Sequence, residues 1–402
     1  MRRVVVTGIG VISALGRNRS EFWKALLEGR SGIRPMTLVD PAPLRFKRAA
    51  EVPDYEPAAF FDPKQAQMLD RFAQFALVAA REAVADAGVE WTDALRERTA
   101  VITGSSIGGQ TYHDEAFAEL YRRGGTRAHP LTVPRIMPNA GASEISRELG
   151  VTGPTYNVST ACASSSHAIG QAAWLLRDGR ADVAVAGGSE APLSFGMLKA
   201  WEGLRVVSPT TCRPFSRNRD GMILGEGGAM LLLELRERAE ARGARIYAEL
   251  AGFGMSADAF HLTQPSAEGP ARAMRAALQD AGLAPEEIGY VNAHGTATDI
   301  NDVTETQAIQ AVFGPHARRL AVSSTKSMHG HALGAAGALE AAATVLALSA
   351  GVLPPTANFT EPDPRCPLDC VPNEARAAQV AAALSNSFAF GGLNAVLAFR
   401  AA

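Results

Sequence analysis

Short apolar runs alternate along the chain with longer stretches of helical spacing. VVVTGIGV (4–11), RTAVITG (98–104), ADVAVAGG (181–188) and AMLLLEL (229–235) are apolar at nearly every position, as in strands buried on both faces. IYAELAGFG (246–254), IGYVNAHG (288–295), LAVSSTK (320–326) and the final NAVLAFR (394–400) repeat the pattern. Residues 65–87, 163–177, 268–281, 302–312 and 334–350 carry the 3.6-residue period of helices. Strands separated by helices predict an α/β protein with buried sheets. The apolar stretch Ala332 to Pro354 contains Glu340 and many small residues, so it is expected to be a buried helix running into a strand rather than a membrane span. The N-terminal run after Arg2-Arg3 contains Thr7, Gly8 and Gly10 and has no clear cleavage site after it, so it is expected to be a first strand.

A faint internal repeat accompanies this alternation. REAVADAGV (81–89) resembles RAALQDAGL (275–283): each ends a helix at Ala-Gly and precedes a strand that leads to a loop of functional character. A loop followed by a small-residue helix occurs after Cys162 and again after His331. Two related halves, 1–245 and 246–402, are expected from the 402 residues.

Composition narrows the function. Hydrophobic residues make up 47% and charged residues 20%, a globular profile, and the net charge of −2 gives no general attraction to nucleic acid or membrane. The four cysteines are sparse, so reduced thiols and a cytoplasmic setting are expected. Cys366 and Cys370 form a lone C-x3-C pair without the further ligands of a structural zinc site.

Four segments carry candidate chemistry. In STACASSSH (159–167), small residues surround Cys162 just before a helix, where the macrodipole favours a thiolate. NAHGTAT (292–298) and KSMHGH (326–331) place His294 and His331 in loops at strand ends, where ligands bind in α/β sheets. FAFGGLN (388–394) offers Gly391-Gly392, a backbone able to aim N–H groups at a ligand. Two other motifs compete. Gly8-x-Gly10 follows a strand but has Ser13 at the third glycine position of a dinucleotide site. GSSIG (104–108) fits a nucleophile elbow, with Ser106, Asp302 and His331 in hydrolase order, but leaves Cys162, His294 and Phe390 without a role.

Taken together, VVVTGIGVISALG, DRFAQFAL, GSSIGG, STACASSSHAIG, AGGSEA, RPFSRNRDG with LGEGG, NAHGTATDINDVTE, SSTKSMHGHALGAAGALE and SNSFAFGGLNAVL resemble the elongating β-ketoacyl-[acyl carrier protein] synthases of the thiolase superfamily. The stretch WEGLRVVSPTTCRPFSRNRDGMILGEGG is similar to that of rhizobial nodulation ketosynthases and related secondary-metabolite synthases. The resemblance implies a five-layered αβαβα fold of two similar halves. It also implies condensation of an acyl thioester with malonyl-acyl carrier protein, in fatty-acid or polyketide-like elongation. By motif, Cys162 becomes the nucleophile, His294 and His331 assist decarboxylation, and Lys326 and Glu340 orient the histidines. Phe390 becomes the gate beside Phe388 and Gly391, and Thr296 and Thr298 contact the phosphopantetheine arm. Ile107 lines the acyl pocket, and the backbone N–H groups of Cys162 and Phe390 hold the oxyanion.

The same resemblance implies no metal or redox cofactor and acyl carrier protein as partner. It implies a homodimer, or a heterodimer with a chain-length-factor-like subunit. The chain departs from the family pattern at Ala389 and Leu393 around the gate, at Asp299, at His329, which is read as supporting, and at Met68, where a basic carrier contact is common. Lys64, Arg71, Arg122, Arg123 and Arg205 remain as candidate carrier contacts.

Overall fold

The computed structural model describes residues 2–122, 124–262 and 264–402; the candidate contact Arg123 lies outside the described residues. Ten strands form one hydrogen-bonded array: β1 (Val4–Ser13), β2 (Thr99–Gly104), β3 (Thr155–Val158), β4 (Val183–Glu190), β5 (Gly227–Leu235), β6 (Ala248–Ala257), β7 (Ile288–Asn292), β8 (Ala321–Ser323), β9 (Ala382–Ala389) and β10 (Leu393–Ala401). Their spatial order is β8-β7-β9-β10-β6-β1-β5-β4-β2-β3. Cut between β6 and β1, this becomes two five-stranded sheets of identical connectivity. Numbered within its own half, each runs 3-2-4-5-1, with the first two pairs parallel and the last two antiparallel. The halves join along a short seam, Val4–Val6 against Ala248–Leu250.

Period-2 alternation distributes the strand side chains between layers. Ala184 and Ala186 of β4 face the middle of the molecule, whereas Val183 and Val185 face out under α1 (Arg71–Ala87) and α2 (Ala140–Leu149). The middle layer holds α3 (Ser164–Arg177) and α7 (Ala336–Ala350), packed against each other and against both sheets. The other outer layer holds α5 (Glu268–Ala281) and α6 (Asp299–Phe313). The result is the five-layered αβαβα fold. Leu333–Ala350 is long and apolar enough to cross a membrane, but here it is a core helix, with Glu340 fully buried.

The faint repeat maps onto this duplication. α1 and α5 occupy equivalent outer positions, and Gly88 and Gly282 end them in the left-handed conformation (φ +60° for both). The Gly8-x-Gly10 pair has a structural purpose. A Cβ at Gly8 would lie 2.0 Å from the Ala83 carbonyl oxygen, and one at Gly10 would lie 1.9 Å from that of Ala79. Gly252 and Gly254 of β6 allow α5 the same close approach.

Three elements differ from the sequence reading. The helix expected over 65–87 is broken at Leu69, because Asp70 caps α1 by accepting from the Phe72 N–H. β3 and β9 were not foreseen as strands. β3 is a polar edge strand, and Ser385-Asn386-Ser387 hides the apolar character of β9.

Candidate active site

Cys162 sits in the turn that leads into α3. Ala161 holds the left-handed conformation at φ +49°, an uncommon state for a residue with a Cβ. The Ser164 hydroxyl braces the turn by accepting from the Thr160 N–H (2.9 Å) and donating to the Ala161 carbonyl (2.6 Å). The thiol is buried, with its own backbone N–H and that of Phe390 directed at the sulfur. The sequence predicts a thiolate favoured by the helix terminus. Instead, desolvation outweighs Lys326 and the two N–H donors and pushes the thiol up to about 11.

Both histidines reach the sulfur from the other half of the molecule. His331 Nε2 lies 3.1 Å from Cys162 Sγ, and the rings of His294 and His331 meet edge to face at 5.4 Å. One ligand-capable atom from each of Cys162, His294 and His331 lies within 4.8 Å of the others. Burial, and after it the Lys326 ammonium, hold both histidines well below their ordinary range, so both are neutral near pH 7. The two rings differ behind the site. His294 Nδ1 faces Lys326 Nζ at 3.4 Å, whereas His331 Nδ1 has no hydrogen-bond partner among the described residues. Lys326 also pairs with Glu340, and both side chains are sealed from solvent. Burial lifts Glu340 to about 7 despite that ammonium.

Phe390 lies in the three-residue loop of the β9–β10 hairpin, with Ala389 paired to Leu393 at its base. Gly391 and Gly392 both take positive φ (+84° and +71°). The Gly391 N–H is spent on the Leu262 carbonyl (2.8 Å), so Phe390 and not the glycine pair supplies the donor to the sulfur. The Phe390 ring stacks on Trp201 of α4 (Phe195–Leu204) at 5.8 Å, and Phe388 lies 6.0 Å from the His294 ring. Thr296 and Thr298 share a hydroxyl contact of 2.9 Å. These groups line a cleft of about 330 Å³ that holds Cys162, His294 and His331 at its inner end and Leu262, Ile300 and Arg205 toward its mouth.

Other expected residues lie beside this cleft. Ile107 packs on the neighbouring apolar cluster of Leu193, Leu198, Met222 and Leu333, of which Met222 also lines the cleft. Arg71 is mostly buried, paired with the buried Glu226 at 2.6 Å and set over the Tyr55 and Phe75 rings, so its charge is already engaged within the chain. Lys64, Arg122 and Arg205 are exposed. The hydrolase alternative fails. The Ser106 hydroxyl donates to Glu190, not to a histidine, and Asp302 accepts from the backbone of Phe215 and Ala297. His329 is buried against Thr325 (3.0 Å), in a supporting place.

Two positioning carboxylates escape a motif-by-motif reading. Glu305 accepts from the backbone N–H groups of His294 (2.8 Å) and Gly295 (2.7 Å) and from Asn386, fixing the histidine loop. Asp302 and Glu305, three apart on α6, share the face turned to that loop, and this spacing was the available signal. Glu190 ties Ser105 and Ser106 to the Gly334 N–H (3.0 Å), just beyond His331.

Comparison with known proteins agrees with this geometry. Residues 1–239 match the family described as Beta-ketoacyl synthase, N-terminal domain, and residues 247–360 match Beta-ketoacyl synthase, C-terminal domain. Nodulation protein E of Rhizobium sp. (strain N33) is 50% identical over 399 residues, covering 99% of each chain. 3-oxoacyl-[acyl-carrier-protein] synthase 2 of Staphylococcus aureus (strain N315) is 42% identical over 406 residues, covering 99% of this chain and 98% of that one. The solved ishigamide ketosynthase/chain length factor is 40% identical with a TM-score of 0.95, over 100% of this chain and 99% of the other. With both family domains matched and full-length relatives at this identity, the chain belongs to the β-ketoacyl synthase family.

Proposed function

We propose that this chain condenses an acyl group held on Cys162 with malonyl-acyl carrier protein, releasing carbon dioxide and a β-ketoacyl thioester, in fatty-acid or polyketide-like elongation. The observation that carries the reading is the convergence of one thiol and two neutral histidines at the inner end of a cleft.

In the first half-reaction, the Cys162 sulfur attacks the thioester carbonyl and the carrier thiol leaves. A thiol raised to about 11 needs a local base, and His331 Nε2 at 3.1 Å is placed to take the proton and return it to the departing sulfur. With Nδ1 unpartnered, His331 is free to change tautomer. The N–H groups of Cys162 and Phe390 hold the tetrahedral oxyanion. In the second half-reaction, malonyl loses carbon dioxide and its thioester oxygen becomes an enolate oxygen. The Lys326 ammonium donates to His294 Nδ1, which keeps the proton on Nε2, facing the site. His294 and His331 donate to the enolate, whose carbon attacks the Cys162 acyl group and expels the sulfur. Thr296 and Thr298 hold the pantetheine arm along the cleft, and Phe390 gates it. Glu340 and Glu305 position the histidine network. No step calls on a metal or redox cofactor.

The partner is an acyl carrier protein, as the name of the staphylococcal relative suggests, with Lys64, Arg122 and Arg205 as candidate contacts. β3 is hydrogen-bonded to a strand on one side only and carries the exposed Tyr156, which suits pairing with a second copy or with a chain-length-factor-like subunit. Four free, buried cysteines suit the cytoplasm.

Intact-protein mass spectrometry with a panel of acyl-carrier thioesters tests the reading. A single acyl adduct on the wild type that vanishes in Cys162→Ala is expected. An adduct that survives in that variant would overturn it.

A further inference from the structure

We propose that Cys162, His294 and His331 also form a binding site for a thiophilic divalent cation, Zn2+ above all, whose capture reversibly blocks the nucleophile. The block on turnover rests on the condensing-enzyme reading; the binding does not.

The ligand set is one thiol and two imidazoles, the donors that zinc selects. Their candidate atoms lie within 4.8 Å of one another, and the shortest approach is 3.1 Å, between His331 Nε2 and Cys162 Sγ. Zinc bonds of about 2.3 Å to sulfur and about 2.0 Å to nitrogen set neighbouring ligand atoms about 3.5 Å apart in a tetrahedron. The turn before α3 and the loops after β7 and β8 already bring the three side chains close to that spacing.

The surroundings supply charge balance and space for the metal. His294 carries its proton on Nε2 under the Lys326 ammonium, so ligation sends that proton to solvent while Lys326 passes one of its own to Nδ1. Behind His294, one ammonium, Lys326, faces Glu340, and Glu305 is a second fully buried carboxyl close by. Zinc brings two positive charges and two protons leave, so the net charge of this buried cluster is unchanged. The cleft in front leaves room for a fourth ligand, a water or a pantetheine thiol. In the balanced step a Zn–S bond and two Zn–N bonds form, the S–H and His294 Nε2–H bonds break, both protons go to solvent, and one Lys326 proton moves to His294 Nδ1. Acylation of Cys162 removes the sulfur ligand, so metal and acyl group exclude each other.

Full-length protein, freed of metal by a chelator, is titrated with Co2+. Zn2+ affinity is measured separately by competition with a chromogenic chelator. One Co2+ per chain is expected, with a sulfur-to-cobalt charge-transfer band and the intense visible bands of four-coordinate cobalt. The charge-transfer band disappears in Cys162→Ala. Zn2+ binding weakens by about tenfold or more in His294→Ala and in His331→Ala, with circular dichroism unchanged. Absence of the charge-transfer band in the wild type would overturn the proposal. So would its persistence in Cys162→Ala, which would assign the metal to Cys212, Cys366 or Cys370. Acyl loading is followed in parallel by mass. Loading that proceeds unchanged with Zn2+ bound would overturn the block. Failure of the metal-free protein to load any acyl group would count against the condensing-enzyme reading, while the cobalt spectrum still decides the site.

Discussion

Lys326 Nζ stands between two partners, Glu340 on one side and His294 Nδ1 at 3.4 Å on the other, with no solvent contact. The ammonium therefore sets which nitrogen of His294 carries the proton, and Glu340 sets where the ammonium sits.

This arrangement separates position from stability. Lys326→Met alone strands Glu340 as a buried, uncompensated carboxyl and costs about 3–5 kcal/mol of stability. Lys326→Met with Glu340→Gln recovers most of that stability but not the turnover, which falls about 100-fold. His294→Ala lowers condensation by about 100-fold or more and leaves Cys162 acylation in place. Denaturant unfolding, carbon dioxide release and acyl-adduct mass together read these outcomes.

The two glycines of the β9–β10 hairpin are predicted to differ. Both have positive φ, but a Cβ at Gly391 meets nothing within 4 Å among the described residues, whereas one at Gly392 would lie 2.6 Å from the Asp258 Cβ. Gly391→Ala costs only the backbone term, about 1–2 kcal/mol. Gly392→Ala costs more, because Asp258 must move, and slows acyl loading by displacing Phe390. Unfolding free energies and single-turnover loading rates give the ranking.

Asp70 gives a pH signature in stability. Burial lifts its carboxyl to about 6 although it accepts from the Phe72 and Tyr112 N–H groups. A folded-state value above the unfolded one means that its stability contribution is full below about pH 4 and is lost as pH rises through 6. Asparagine keeps the bond from Phe72 but sets an N–H against that of Tyr112, so the absolute stabilities of the two proteins differ for several reasons. Their pH dependence isolates the titration. The difference in unfolding free energy is expected to shift toward Asp70→Asn by up to about 3 kcal/mol between pH 4 and 7. A flat difference would refute it.

The candidate carrier contacts divide into Arg71, engaged with a buried carboxylate, and residues exposed at the surface. Arg71→Ala leaves Glu226 buried without its partner and is expected to cost about 3–5 kcal/mol of stability. Arg205→Glu at the cleft mouth is expected to raise KM for the carrier-borne substrate, more at low salt than at high, with unfolding unchanged. Steady-state kinetics at two ionic strengths checks the second.

Much of this was legible because its signals are local. Buried strands wrote themselves as apolar runs, and Cys162, His294, His331 and Lys326 each sit in a small-residue loop beside a regular element. What stayed hidden depends on contacts between distant segments. Nothing near Arg71 reveals Glu226, which is 155 positions away. Nothing in GSSIG reveals that Glu190 occupies the Ser106 hydroxyl. The helix start at Cys162 suggested a low thiol pKa, but the cost of burial arises only once both halves close over the sulfur. The apolar rule for a central strand hides β9, because Ser385, Asn386 and Ser387 are buried polar groups, Ser387 turned to Ser166 of α3 and Asn386 to Glu305 of α6.

The 3-2-4-5-1 order of each sheet places the Cys162 turn and the His331 turn at corresponding corners of a doubled unit, each between its third strand and the helix of the middle layer. The candidate site is therefore assembled from equivalent corners of two copies of one topology, a thiol from the first and imidazoles from the second, so neither half holds the full set of groups alone.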